Sequence, residues 1–198
     1  MKIKQLVATA ALLCAGLIAS SATAAEEHYN IDIKGQHAFI QFKIKHLGFS
    51  WMYGEFRTFK GDFTFDTVNP KNNSVHVTID SNSIDTNHAE RNKHLRSADF
   101  FAVNEYPSIT YISTSYEDQG NGHGILHGTL TLRGVSKSVD LTIHQIGTGK
   151  DPWGGYRRGF EAHTTLHLSD YSMPFAPKLG PVSEDVELNI SVEGIKEK

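Results

Sequence analysis

The chain has a single cysteine, Cys14, and it lies inside an early apolar run. If that run is a leader, the remainder has no thiol, which excludes disulfides, cysteine zinc sites and a cysteine nucleophile. Lipidation at Cys14 is disfavoured, because Leu12 and Leu13 rather than a small residue precede it. The run itself, Leu6 to Ile18, is short of the roughly 20 residues a membrane-spanning helix needs. An excess of positive charge is also missing. Of 19 basic residues, Lys2 and Lys4 belong to the leader, and those left are outnumbered by 22 acidic ones. A nucleic-acid partner would want a basic patch, and the lysines and arginines are scattered.

Catalytic signatures are equally scarce. No GxSxG elbow, phosphate-cradling glycine loop or HExxH occurs. His88-Ala89-Glu90 matches half of a zinc deaminase signature whose other half needs two cysteines. The sequence has 11 histidines, and His123 with His127, like His163 with His167, has the spacing that joins two ligands on a helix. In strands that spacing is about 13 Å, too far for one ion. No metal site, cofactor or catalytic residue is expected.

What is present begins with an export signal. Lys2 and Lys4, the apolar run and the small residues Ala22-Thr23-Ala24 predict cleavage after Ala24, leaving residues 25–198 as one domain. Beyond it, alternation of period two recurs, the mark of strands with one wet face. Ala38, Ile40, Phe42 and Ile44 alternate with polar residues, as do Val75, Val77 and Ile79. The pattern returns in Leu126, Leu130 and Leu132, in Val139, Leu141 and Ile143, in Phe160, Ala162, Leu166 and Leu168, and in Val186, Leu188, Ile190 and Val192. Eight or nine strands are predicted. Phe56 and Phe59 cannot share a face of a regular strand, so a bulge or bend is expected between Arg57 and Lys60. One helix of about three turns is predicted in Asn87 to Phe101, with Asn87 as N-cap and Glu90 three residues on. An all-β chain of this kind is a two-sheet sandwich or a closed barrel. The adjacent hairpins from Ile109 to Ile146 favour an up-and-down barrel.

Three polar or aromatic groups stand out. His46 continues the inward parity of Phe42 and Ile44, as a core histidine or as a contact to a ligand headgroup. Leu47 to Gly54 carries three aromatics and a methionine, which suits a barrel mouth or lid, or a core plug. Asp85-Thr86-Asn87 with Arg91, His94 and Arg96 reads as capping and salt bridging, with a binding role as the alternative.

The chain resembles the YceI-like family of exported, lipocalin-like polyisoprenoid-binding proteins. The resemblance rests on Gly35-Gln36-His37-Ala38-Phe39, His46-Leu47-Gly48, Asp85 to Arg91 running into His94 to Phe100, Gly134-Val135-Ser136-Lys137, Asp151 to Gly155 with Arg157, and Ser191-Val192-Glu193-Gly194. Asp170 to Pro177, with Met173-Pro174-Phe175, departs from the family pattern. The resemblance implies an extended, lipocalin-like eight-stranded antiparallel β-barrel with one short accessory helix, a periplasmic address and an apolar tunnel for an isoprenoid chain. It implies no catalytic residue.

Eight strands is the size at which a barrel fills with side chains or holds one ligand, and ten-residue strands tilted by ~40° give a bore of roughly 25 Å. Burying each methylene is worth about 0.8 kcal/mol, so a long polyprenyl tail cannot cross water unaided. Parity selects Ile40, Phe42, Ile44, Phe63, Phe65, Val77, Ile79, Tyr111, Leu130, Phe160, Leu166 and Leu188 as tail contacts, with His46 at the head. The expected partners are an isoprenoid lipid or isoprenoid quinone and, transiently, a membrane. The alternatives are sequestration of assorted amphiphiles such as fatty amides, or an enzyme acting on lipid through His46 or its neighbours.

Overall fold

The computed structural model describes residues 26–198. The predicted leader, its cleavage after Ala24 and Cys14 lie outside the described residues. Eleven strands are formed: β1 (Glu27–Ile31), β2 (Phe39–His46), β3 (Ser50–Phe56), β4 (Phe59–Phe65), β5 (Ser74–Asp80), β6 (Ile84–Asp85), β7 (Ser108–Gly120), β8 (His123–Leu132), β9 (Val135–Lys150), β10 (Tyr156–His167) and β11 (Asp185–Lys196). All pairings are antiparallel, and the sheet closes through β1 and β11.

Eleven strands make eight walls, because three walls are interrupted. Along β11, Val186 to Ser191 pair with β2 and Gly194 to Lys196 pair with β1, so β1 and β2 are two halves of one wall. β3 then pairs with β2 and β4 with β1, while β6 pairs with β3 and β5 with β4. β7 to β11 supply one wall each, in chain order. The result is an up-and-down, eight-stranded antiparallel barrel.

The interruptions lie side by side, and each is held by local hydrogen bonds. At the first, Gly35 N–H donates to the Asp32 carboxylate at 2.8 Å. Asp80 accepts from Asn82 N–H at 2.9 Å in the third, and Asp80 N–H donates to Thr58 across the second at 2.9 Å. The bend expected between Arg57 and Lys60 is a full break after Phe56, and both Phe56 and Phe59 are buried. A two-residue break resets the parity that a continuous strand would have violated.

Along β8, period two is strict. In β8, Gly124, Leu126, Gly128, Leu130 and Leu132 are buried while the residues between them face outward. Gly128 is required by close approach: a Cβ there would lie 2.4 Å from the Tyr111 ring. That ring lies across the inner face of β8, and its hydroxyl shares its one proton between the carbonyls of Leu126 and Val139, at 3.0 and 3.1 Å.

The helix α1 (Ala89–Arg96) is shorter than predicted, and its N-cap is His88, whose Nδ1 accepts from Arg91 N–H at 3.2 Å. Asn87 instead adopts φ +58°, a left-handed conformation that an N-cap does not use but an asparagine tolerates. Glu90 plays no capping part; it is exposed in the first turn. Arg96 ties the helix to the barrel, donating to the carbonyls of Asn82 and Ile84 at 2.7 and 2.9 Å. Since β6 pairs with β3 alone, the helix and the turns after it stand where the sheet is open beside β6. Packed against them, with Phe175 N–H donating to the Asp99 carbonyl at 3.1 Å, residues 168–183 form three 3-10 turns and bury Tyr171, Met173 and Ala176.

Candidate ligand tunnel

The barrel interior holds two chambers. The first, about 150 Å³, lies among β4, β5 and β7 to β11. Apart from Thr64, Asn73 and Ser74 and two tyrosines, its lining is entirely hydrocarbon or aromatic. The second, about 340 Å³, lies beneath α1 and the 168–183 turns, against β2 and β3. Four residues, Ile40, Ile79, Leu130 and Leu188, line both, so the chambers abut at a waist formed by aliphatic side chains from four walls.

All thirteen residues selected by parity line a chamber. Besides the waist four, Phe63, Phe65, Val77, Tyr111 and Phe160 line the first, and Phe42, Ile44, His46 and Leu166 line the second. Parity missed the lining that is not strand: Leu95 of α1, Phe100 and Phe101 after it, and Met173, Phe175 and Leu179 of the turns. Periodicity has no purchase on short turns, and only their apolar content in a polar neighbourhood could have marked them.

A buried cation stands beside the first chamber. Arg158 has the inward parity of Phe160 and lies face-on over Phe65, 3.7 Å from the ring centroid. Its guanidinium donates to Gln145 at 2.8 Å and to Glu27 at 3.1 Å, and Lys196 reaches the same carboxylate at 2.7 Å. Burial works against ionisation of Glu27, but hydrogen bonds from Lys196, Tyr29 and Arg158 outweigh it and lower its pKa.

The adjacent Arg157 points the other way. It donates to Asp32 at 2.7 Å and Asp151 at 2.8 Å and also pairs with Glu193, clasping β1, β11 and the 151–155 turn. Burial opposes ionisation of Asp32, yet the hydrogen bonds from Arg157, His37 and Gly35 hold its carboxyl at about 2. Among the described residues, Asp32, His37 and Glu193 are the one group placed to hold a metal ion, and Arg157 already supplies the positive charge between them. The histidines spaced by four are paired across strands instead. His127 meets Asp140 at 2.8 Å, His163 meets Asn189 at 3.0 Å, and His123 stacks on His144 at 4.3 Å between centroids.

The polar rim of the second chamber is built on α1. Buried Asn92 accepts from Thr86 N–H and Oγ1–H at 2.8 and 2.6 Å and donates to Asp85 at 2.8 Å. Asn87 N–H and then Asn92 lower the Asp85 pKa. Arg91 donates to Thr86 Oγ1 and to the Thr86 carbonyl, at 2.8 and 2.7 Å. Of the salt bridging expected at this cluster, His94 meets Asp99 at 3.0 Å, while Asp85 is paired with Arg57, from outside it, at 2.7 Å. Arg91 has no carboxylate within ion-pair distance among the described residues and lines the chamber together with His46 and His94. The Leu47 to Gly54 segment is the hairpin beside this rim; with Phe49 86% exposed, it is no core plug.

Residues 29–194 match the family model described as the YceI-like domain. A UPF0312 protein of Pectobacterium atrosepticum is 50% identical over 187 residues, 94% of this chain and 96% of its own. The Campylobacter jejuni YCEI protein superposes with a TM-score of 0.71 at 32% identity, over 78% of this chain and 91% of that one. A polyisoprenoid binding domain from Saccharophagus degradans shares the fold, with a TM-score of 0.61 at 17% identity over 85% of this chain and 98% of that one.

Proposed function

Because the chain belongs to the YceI-like family, we propose that it is an exported binding or carrier protein holding the tail of an isoprenoid lipid, of quinone or prenyl phosphate type. The observation that carries this reading is the waist: two apolar chambers abut at four shared aliphatic residues, so a tail that turns those side chains aside would run through both. The larger chamber alone falls within the ~300–1,000 Å³ of small-molecule sites. A fold shared with a polyisoprenoid binding domain supports a branched tail over a straight one. Arg91 and His46, at the rim of the larger chamber, stand where a polar head would emerge.

The largely hydrocarbon lining of both chambers supports a binding role. The proposed address is the periplasm, reached through a leader cleaved after Ala24. Organic extraction and mass spectrometry of the protein purified from that compartment should yield a prenyl lipid. Protein that is empty from every source and takes up no prenyl lipid in vitro overturns the reading. A prenyl chain should also displace a fatty amide with clear preference, and equal competition would favour a scavenger of assorted amphiphiles.

A further inference from the structure

The hairpin joining β2 to β3 turns through Leu47 and Gly48, both at positive φ, +51° and +83°. Phe49 N–H donates back to the His46 carbonyl at 2.9 Å, closing a tight turn with φ positive at both central residues, as in type I′, and since His46 pairs with Ser50, Phe49 is a third loop residue outside the ladder. Asparagine followed by glycine is the natural choice there, because a left-handed backbone presses Cβ against the next carbonyl. Leu47 is the one branched apolar side chain among the seven non-glycine residues of positive φ that are described. It is also 55% exposed, so it gains nothing from the core in return.

An outlier of this sort points to a demand from outside the fold. Phe49 beside it is the most exposed large apolar side chain described, and Val182, brought alongside by the Leu47 N–H bond to Ser183, is half exposed. On the outer face of the hairpin, Lys43 and Lys45 place their ammonium groups 4.4 and 5.4 Å from the Trp51 ring. From Lys43 to Gly54 there is no acidic residue. Lys43 is paired with Glu187, and Lys45 is in no ion pair among the described residues. The inner face of the same hairpin, through His46 and Met52, lines the second chamber.

We propose that the tip of the β2–β3 hairpin docks on a phospholipid bilayer carrying anionic lipid. Leu47 and Phe49 enter the interface, Trp51 sits at headgroup level and Lys45 faces the lipid phosphates, as interfacial aromatic and basic residues do. A second protein would not need the tip to adjoin the lipid chamber, whereas a membrane does: a cargo that cannot cross water must pass between bilayer and barrel at the surface. The inference rests on the lipid-holding reading above.

The test uses the exported protein and the double variant Leu47→Asn, Phe49→Ser. Asparagine suits the turn, so the thermal midpoint of the variant should not fall. Co-sedimentation is measured with vesicles of phosphatidylcholine alone and of phosphatidylcholine mixed with phosphatidylglycerol. Wild type should partition more strongly to the mixed vesicles, and the variant should lose at least about tenfold of that partition. Binding of farnesol, a short prenyl alcohol that reports on the tunnel without a membrane, should be the same in both. Wild type that binds neither vesicle, or a variant that partitions as wild type does, overturns the proposal. A variant that loses a dimer in sedimentation velocity while keeping its vesicle binding assigns the tip to self-association and overturns it too. Farnesol failing to bind wild type would sink the lipid-holding reading, leaving the vesicle measurement to judge the tip.

Discussion

Arg158 and Arg157 are neighbours in sequence with opposite surroundings, and the difference follows from parity alone. Period two turns Arg158 toward the barrel interior, where a guanidinium must be compensated, and Glu27, Gln145 and the Phe65 face do so. Removing Arg158 leaves Glu27 with Lys196 and Tyr29, so the loss is that of a partly compensated pair. Arg158→Met should therefore cost about 1–3 kcal/mol in urea unfolding, and less when made in a Glu27→Gln background. An equal cost of Arg158→Met in the wild-type and Glu27→Gln backgrounds would show that the pair is not coupled. Neither arginine announces its face in a list of composition. Both look like ordinary surface charges until the strand around Phe160 fixes which one turns in.

α1 is held less by its own sequence than by what it bonds to. Its eight residues are short for an isolated helix, and one of its anchors is Asn92, buried under the Thr86 backbone and hydroxyl. Asn92→Ala would leave both Thr86 donors unsatisfied, at a cost of about 1–3 kcal/mol. The loss should be local: amide exchange should accelerate in residues 86–101, while β8 and β9 keep their protection. Uniform acceleration across the barrel would mean that the helix is part of the global folding unit. Helix-forming residues were visible between Ala89 and Arg96, but the N-cap was not. The choice between Asn87 and His88 depends on which residue takes the left-handed conformation, and Asp85, which bonds Asn87 N–H at 2.8 Å, is one of the contacts that fix it.

The whole barrel depends on a closed ring and an open bore, and each can be tested. Leu188→Trp at the waist should separate the chambers, at an overpacking cost of ~1–3 kcal/mol. The variant should still bind farnesol but fail to hold a long polyprenol, and full uptake of the long chain would show that the tail does not thread the waist. Ring closure is clasped by Arg157 and Asp32. The folded pKa of Asp32, about 2, lies below the ordinary carboxylate value, so its contribution to stability is present above pH ~4 and is lost as pH falls toward 2. Asp32→Asn should be less stable than wild type at neutral pH by about 2 kcal/mol, and that gap should close between pH ~4 and ~2. A gap independent of pH would assign the loss to packing rather than charge.

Hydrophobic alternation by itself determined that the chain forms strands and, where a strand runs unbroken, which side faces inward. All thirteen residues selected line a chamber because parity is a local property of an extended backbone, and it fails only at a bulge such as the one that lets Tyr111 and Tyr116 share the first chamber. Local pattern also exposed the conflict between Phe56 and Phe59. It could not say that three walls break side by side, that non-strand residues from Leu95 to Leu179 complete the second chamber, or that the Leu47 hairpin ends in solvent rather than in the core. Those outcomes depend on which distant strands pair. Ring closure between β1 and β11 and the seating of α1 beside β6 join residues far apart in the chain, and only the assembled barrel sets where an inward face becomes a cavity instead of a filled core.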